Sequence, residues 1–319
     1  MKETFNSRWQ CYPKENKKSA ASKILLYLIW PFGTWLYSLR HPQYKSSYVI
    51  FFLFSLLLCW HMSPISNSGY DDFLGIKDRF ESASITTSSL LYELHAFFTM
   101  ADDSPKEIYE DILTWFVKSF TNNYHFFFLL AAIPIALCQL KSIKRITGDT
   151  NFRPTIWGIF IVIMLIFPRD IITTQNPRFA TGFWICVVSA IYFYGSRCRN
   201  WWYLLLALMA PLCHAGLMPF VFLLFVSVFV PKDLKLLKYV ALASIPFSFF
   251  DAGIFANISF DFLPGALNRW VTIYLSDEAY AQFILKEGKA GFWWVDAGFQ
   301  MLMKFAYIWM TLQIIRHWD

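Results

Sequence analysis

Two side chains in this sequence have the type and placement to act on a phosphorylated substrate, Arg178 and His214. Arg178 opens an apolar span directly after Asn176-Pro177, and His214 closes the next one. The turn between the spans, residues 196–200 with Arg197 and Arg199, sends the chain back, so both side chains are expected at one face of a bilayer. A guanidinium donates two parallel hydrogen bonds to a phosphate and stays charged. An imidazole titrates near neutrality and serves as a general base or as a donor to a leaving group. Each residue also has a plainer reading. Arg178 can be an anchor that snorkels to the head groups, and His214 a helix cap held by backbone.

A second group of candidates surrounds this pair. Asp71 and Asp72 follow an early span, where a carboxylate can take a proton from a sugar hydroxyl or remain an ordinary solvated acid. Arg169 sits beside Asp170 at the end of a span. Arg269 lies in a late loop with Trp270 and Tyr274, a pattern that suits sugar stacking and also suits interface anchoring. No histidines pair at metal-ligand spacing, and the six cysteines form no CxxC, so neither a metal, a cofactor nor a disulfide framework is expected. The outer acids could still recruit a divalent ion, with Asp71 and Asp72 the first place to expect it.

Apolar spans must hold these residues in place. The chain is 56% hydrophobic and only 16% charged, with mean hydropathy +0.40, against about 25% charged in a soluble domain. Near-spanning runs fall at 20–39, 48–62, 124–140, 154–168, 178–195, 201–213, 217–230, 237–251 and 292–315. They predict an all-α, polytopic membrane protein with about eight or nine spans. Residues 1–23 read as a basic polar tail and 24–319 as a single transmembrane domain with outer loops at 63–122 and 252–291. The run at 20–39 has no cleavage site after it and is not expected to be a signal peptide. It spans only if Lys23 snorkels and Pro31-Phe-Gly33 is tolerated; otherwise it is re-entrant or interfacial. The net charge of +6 sits in short turns and does not suggest nucleic-acid binding.

Charge orients the spans. Segment 63–122 carries ten acids and four bases, whereas the turns at 141–153, 196–200 and 231–238 are basic and fall on the other side. The positive-inside rule assigns those turns to the cytoplasm and the acidic segment to the outside. Within that segment Ser104-Pro105-Lys106-Glu107 has capping-box spacing, and Ile108, Ile112, Trp115, Phe116 and Phe120 follow a helical period. A surface helix on the membrane or across the site mouth is expected there.

These features together resemble the Wzy-type polysaccharide repeat-unit polymerases, especially the EpsG-like branch. The resemblance is carried by Gly69 to Asp72 after an early span, Asn176-Pro-Arg178-Phe-Ala180 opening a middle span, Ala210 to Met218 around His214, and Arg269 with Tyr274 in a late loop. It covers about residues 45–280. The sequence departs from the family pattern at Phe73 to Ile76, where a Tyr is usual, and at Phe179, where Gln is common. Family members commonly run longer, which implies a shortened form or a fragment. The resemblance implies a fold of the GT-C kind in the bacterial inner membrane. It implies an enzyme that joins undecaprenyl-pyrophosphate-linked oligosaccharide repeats of O-antigen, capsule or exopolysaccharide on the outer face. Membrane lipids and a Wzz-type chain-length regulator are the implied partners. In that chemistry Arg178, with Arg269 or Arg169, neutralises the pyrophosphate, His214 or Asp72 serves the attacking hydroxyl, and Asp71 and Tyr274 bind substrate. Two other readings stay open, a polyprenyl-phosphate-sugar-dependent glycosyltransferase and a flippase of lipid-linked sugars. Charges clustered at one face, rather than along a path through the bilayer, favour an enzyme over a flippase.

Overall fold

The computed structural model describes residues 15–61, 72–99, 107–147, 176–195 and 200–229, with Tyr239 and Ile308. The chain divides into two compact units, Met1–Leu224 and Phe225–Asp319, and the account below concerns the first. Among the described residues all regular structure is helical. The expected spans at 154–168, 237–251 and 292–315 and the loop at 252–291 lie outside the described residues, as do Asp71, Arg169, Arg269 and Tyr274.

Helix α1 (Lys17–Ile29) begins at an Asn16 cap whose side chain accepts from the Lys18 N–H, so helix already occupies the last residues of the expected tail. It breaks at Trp30, and α2 (Pro31–Ser38) starts with proline at its first position. The Trp30 indole lies over Gly33 so closely that no Cβ fits there. Phe32 and Trp35 then lie against Phe54 of α3 (Lys45–Trp60). Lys23, by contrast, bonds to Ser46 and Ser47 at the start of α3. The chain therefore rises along α3, turns at Trp30 and comes back. Neither α1 with 13 residues nor α2 with 8 reaches the ~20 needed to span. Lys23 does not snorkel; it is 4% exposed and paired inside this hairpin.

The polar segment after α3 is mostly helix rather than loop. It forms α4 (Asp72–Ser82), α5 (Thr87–Thr99) and α6 (Tyr109–Lys118). In α6 the buried face is Glu110, Thr114 and Val117, while Ile112 and Phe116, and Phe120 just beyond the helix, are exposed. Much of the apolar period read from the sequence thus points outward, apart from buried Ile108 and half-buried Trp115.

Helix α7 (Tyr124–Thr147) carries the one stretch, Tyr124–Arg145, that is long and apolar enough to cross a membrane among the described residues. It runs antiparallel to α3, with Tyr48 beside Thr147 at one end and Trp60 beside His125 and Phe126 at the other. Helix α8 (Pro177–Gly195) runs parallel to α7, since the Tyr192 hydroxyl donates to the Lys141 carbonyl while Ala180 and Trp184 share a core with Phe127 and Phe128. Then α9 (Trp201–Ala207) and α10 (Ala210–Cys213) return along α8, from Tyr203 stacked on Tyr192 to His214 beside Phe179. A 3-10 turn (Ala215–Leu217) leads into α11 (Met218–Phe229). One end of this bundle gathers Lys23, Lys141 and Arg145; the other gathers α4, α6 and the start of α8.

Candidate functional site

The Asn176-Pro-Arg178-Phe-Ala180 stretch is a helix start, and its chemistry explains its order. Asn176 Oδ1 accepts from the Phe179 N–H at 3.2 Å, Pro177 fills the first helical position, and Arg178 follows in the first turn. Thr181 donates to the Pro177 carbonyl at 2.7 Å and lies 3.3 Å from the Tyr109 hydroxyl. Burial holds the Tyr109 phenol above its ordinary pKa.

The small stripe on α8, Thr181, Gly182, Cys186 and Ser189, is buried and packs. At Gly182 a Cβ would stand 2.9 Å from the Ala210 carbonyl and 3.2 Å from the Cys213 Cβ, and would overlap Leu217. Only glycine lets α10 sit this close to α8. That close approach brings His214 against Phe179, edge to face at 5.2 Å between ring centres.

His214 caps the 3-10 turn. Its Nδ1 accepts from the Gly216 N–H at 3.2 Å, so the neutral ring carries its proton on Nε2. That nitrogen lies 3.8 Å from Glu107 Oε1, which also accepts from the Ala215 N–H at 3.3 Å. The capping reading of His214 is therefore present in the molecule, together with a carboxylate partner.

Arg178 meets two carboxylates. Its Nη1 is 2.9 Å from Glu107 Oε2, and its Nε is 3.2 Å from Glu110 Oε2. These are charge pairs rather than aligned hydrogen bonds, since neither Glu107 Oε2 nor Arg178 Nε has a hydrogen-bond partner among the described residues. Arg79, from α4, makes the aligned pair instead, Nε to Glu110 Oε1 at 2.8 Å and Nη2 to Glu110 Oε2 at 3.2 Å. Asp111 is raised to about 7 by burial first, then by Glu93 and Glu110, against the opposing pull of Arg178 and Arg79.

Arg178 and His214 thus stand at the same end of the bundle, bridged by Glu107. Asp72 is the first residue of α4, two turns before Arg79 on that helix. Asp71, Arg169, Arg269 and Tyr274 lie outside the described residues. Sequence alone does not mark Glu107, Glu110, Asp111 or Arg79 as site residues. The capping-box spacing gives Glu107 a helix-start role, but α6 begins at Tyr109, and its Ile108 cap makes no side-chain bond. The Glu107 carboxylate goes to Arg178 and Ala215 instead, and the Ile108 N–H bonds to the Leu212 carbonyl at 3.3 Å. Local sequence gives little signal for the acid pair, because Glu107 lies outside α6 while Glu110 lies within it, and their partners are distant in sequence. Among the described residues no three of His, Cys, Asp and Glu are placed to hold a metal ion.

The chain matches no family model, no curated protein and no solved structure.

Proposed function

We propose that this chain is a multi-pass inner-membrane glycosyltransferase that polymerises lipid-pyrophosphate-linked oligosaccharide repeats, with its site at the acidic end of the bundle. The observation that carries the reading is Arg178, placed in the first turn of an apolar helix beside His214 and Glu107. The phosphates of a flipped carrier lipid lie at that depth, and the helix start adds partial positive charge of its own. The membrane setting is supported by the α7 stretch and by exposed apolar side chains such as Leu28, Phe222, Leu223 and Phe229. An α6 that buries Glu110 and exposes Ile112 and Phe116, with Phe120 just beyond it, suits a helix lying in the lipid interface. Basic residues at the opposite end put that end in the cytoplasm by the positive-inside rule.

Polymerisation transfers a glycan from its pyrophosphate to the hydroxyl of the next repeat. Negative charge grows on the leaving pyrophosphate, and fixed guanidinium groups stabilise it there. Since Nε2 of neutral His214 is a donor, it serves the leaving oxygen better than it serves as base. Glu107, 3.8 Å from that nitrogen, is the carboxylate for the attacking hydroxyl.

The test is the surface-polysaccharide ladder of a deletion strain. Loss of polymer with single repeats retained supports a polymerase; loss of every repeat means an upstream transferase or a flippase. Complementation with Arg178→Ala should cost about ten- to a hundred-fold or more in polymer formation, at normal membrane levels, and Arg178→Lys should lose less. Full-length polymer from Arg178→Ala would make Arg178 a structural arginine and refute the site.

A further inference from the structure

Two guanidinium groups converge on one carboxylate in this site. Arg79 grips Glu110 through Nε and Nη2, and Arg178 Nε approaches the same Oε2 at 3.2 Å. The two contacts differ in quality. Arg79 is aligned with its acceptor, whereas Arg178 Nε is buried without an aligned one among the described residues. A buried N–H on a permanently charged group is costly to leave so, and an acceptor placed between the two arginines would satisfy it. The arginines also differ from an ordinary buried pair in their access. The side chain of Arg178 is 24% exposed and that of Arg79 is 55% exposed, so an incoming anion reaches both.

Charge balance points the same way. Among the described residues Glu107 and Glu110 already pair with Arg79 and Arg178, and Asp111 lies close enough to feel both, so the two guanidinium charges are offset before a pyrophosphate arrives. One carboxylate must give way before the ligand binds with full strength. Glu107 is the less ready to move, because the Ala215 N–H and His214 also hold it and its side chain is 8% exposed. Among the described residues Glu110 forms ion pairs with Arg79 and Arg178, and both would pass to the ligand.

We propose that Arg79 and Arg178 form one anion site whose resident occupant is the Glu110 carboxylate, and that the pyrophosphate of the carrier lipid displaces it. Arg79 is then the second cation of the site, and Glu110 is an internal competitor that sets how strongly the site takes the carrier. This rests on the reading of Arg178 as a pyrophosphate ligand. The plainer alternative makes the Arg79–Glu110 pair a strut between α4 and α6.

The two ideas separate in a double variant. Purified protein in phosphatidylethanolamine–phosphatidylglycerol nanodiscs is titrated with undecaprenyl pyrophosphate, undecaprenyl phosphate and inorganic pyrophosphate, and thermal protection is read. Glu110→Gln should bind undecaprenyl pyrophosphate several-fold tighter than the unaltered protein. Arg79→Ala should bind about tenfold or more weaker. The double variant Arg79→Ala/Glu110→Gln should remain weak, because its second cation is still missing. If Arg79 only neutralises Glu110, the double variant recovers full binding, and that result overturns the proposal. Equal protection by inorganic pyrophosphate would keep the anion site and assign it to a free ligand rather than to the lipid. If Arg178→Ala binds like the unaltered protein, or the unaltered protein binds none of the three, the reading of Arg178 falls and this inference with it. If Arg178→Ala is weak and the double variant normal, this inference alone falls.

Discussion

The bundle has a cation cluster at each end, buried at the basic end and open to solvent at the acidic one, and the two are built differently. At the basic end Lys23 bonds to Ser46 at 2.8 Å, Ser47 at 3.1 Å and Glu15 at 3.5 Å, so its three donors are used. Glu15 in turn accepts from the Ser46 N–H at 3.2 Å and from the Ser46 hydroxyl, capping the start of α3. Tyr37 and Tyr44 close over the ammonium. At the acidic end Arg178 has charge neutrality without hydrogen-bond saturation, and Glu107 Oε2 is likewise unbonded. A saturated cluster holds a fold in one arrangement. An unsaturated one keeps donors in reserve, which is what a binding site needs.

The comparison is tested hardest at Lys23. Lys23→Met leaves the shielded Glu15 carboxylate with only the Ser46 N–H and hydroxyl and no counter-charge, and breaking a buried pair from one side costs about 3–5 kcal/mol. The expected outcome is a large fall in thermal stability and in membrane level, with carrier affinity of the surviving protein unchanged. Adding Glu15→Gln should restore much of the loss. A Lys23→Met protein that is stable yet defective in polymer formation would give the basic end a functional role and dissolve the contrast.

A middle-sized effect is expected at Gly182, which seats α10 and hence His214. Gly182→Ala pushes a methyl toward the Ala210 carbonyl at 2.9 Å, and backbone yields less easily than a side chain. Overpacking of this kind costs about 1–3 kcal/mol. The same variant should lower polymer formation more than its stability loss explains, because moving α10 draws His214 away from Glu107. Thermal unfolding and the polymer ladder, measured on one preparation, check this. Unchanged stability would mean that α10 is free to shift and that the packing at Gly182 does not fix the site.

The sequence makes half of this contrast readable. The pairing of Arg178 with His214 follows from two apolar runs and one short basic turn, and the Asn176 cap follows from local turn chemistry. These are near-neighbour patterns, and periodicity reports them. The partners of the charges are a different matter. Arg79 and Glu110 are 31 positions apart, and Ala215 and Glu107 are 108 apart. Nothing local marks an acid in a polar segment as buried, so Glu107 and Glu110 read as solvated. Glu107 also fits a capping pattern that needs the helix to start at Pro105, and α6 starts at Tyr109, four residues later. Lys23 is a similar case: its sequence leaves open whether 20–39 spans with a snorkelling lysine or lies re-entrant, because its serine and glutamate partners are out of view.

A conditional effect, absent at low pH and the one that sharpens the contrast most finely, is expected at Asp111. Glu93 from α5, Glu110 on its own helix, Arg79 from α4 and Arg178 from α8 all act on this carboxyl, and burial with the two acids outweighs the two arginines. Its pKa is raised from 3.8 to about 7, so the folded protein binds a proton that the unfolded chain releases. Stability from this group is therefore present below the unfolded value and is lost as pH rises toward the folded one. Asp111→Asn keeps the shape of the protonated side chain and removes the titration. The variant should match the unaltered protein below about pH 4, and it should be the more stable of the two above about pH 7. The slope of stability against pH between those limits should flatten. Thermal unfolding across that range reads both. The sign also bears on the site, because an ionised Asp111 adds negative charge beside the two arginines, and removing that charge should tighten binding of an anionic carrier at alkaline pH. An Asp111→Asn protein with an unchanged pH slope would show that the acidic end is as fully compensated as the basic one, and the distinction between a reserve of unbonded donors and a closed cluster would have to be drawn from Arg178 alone.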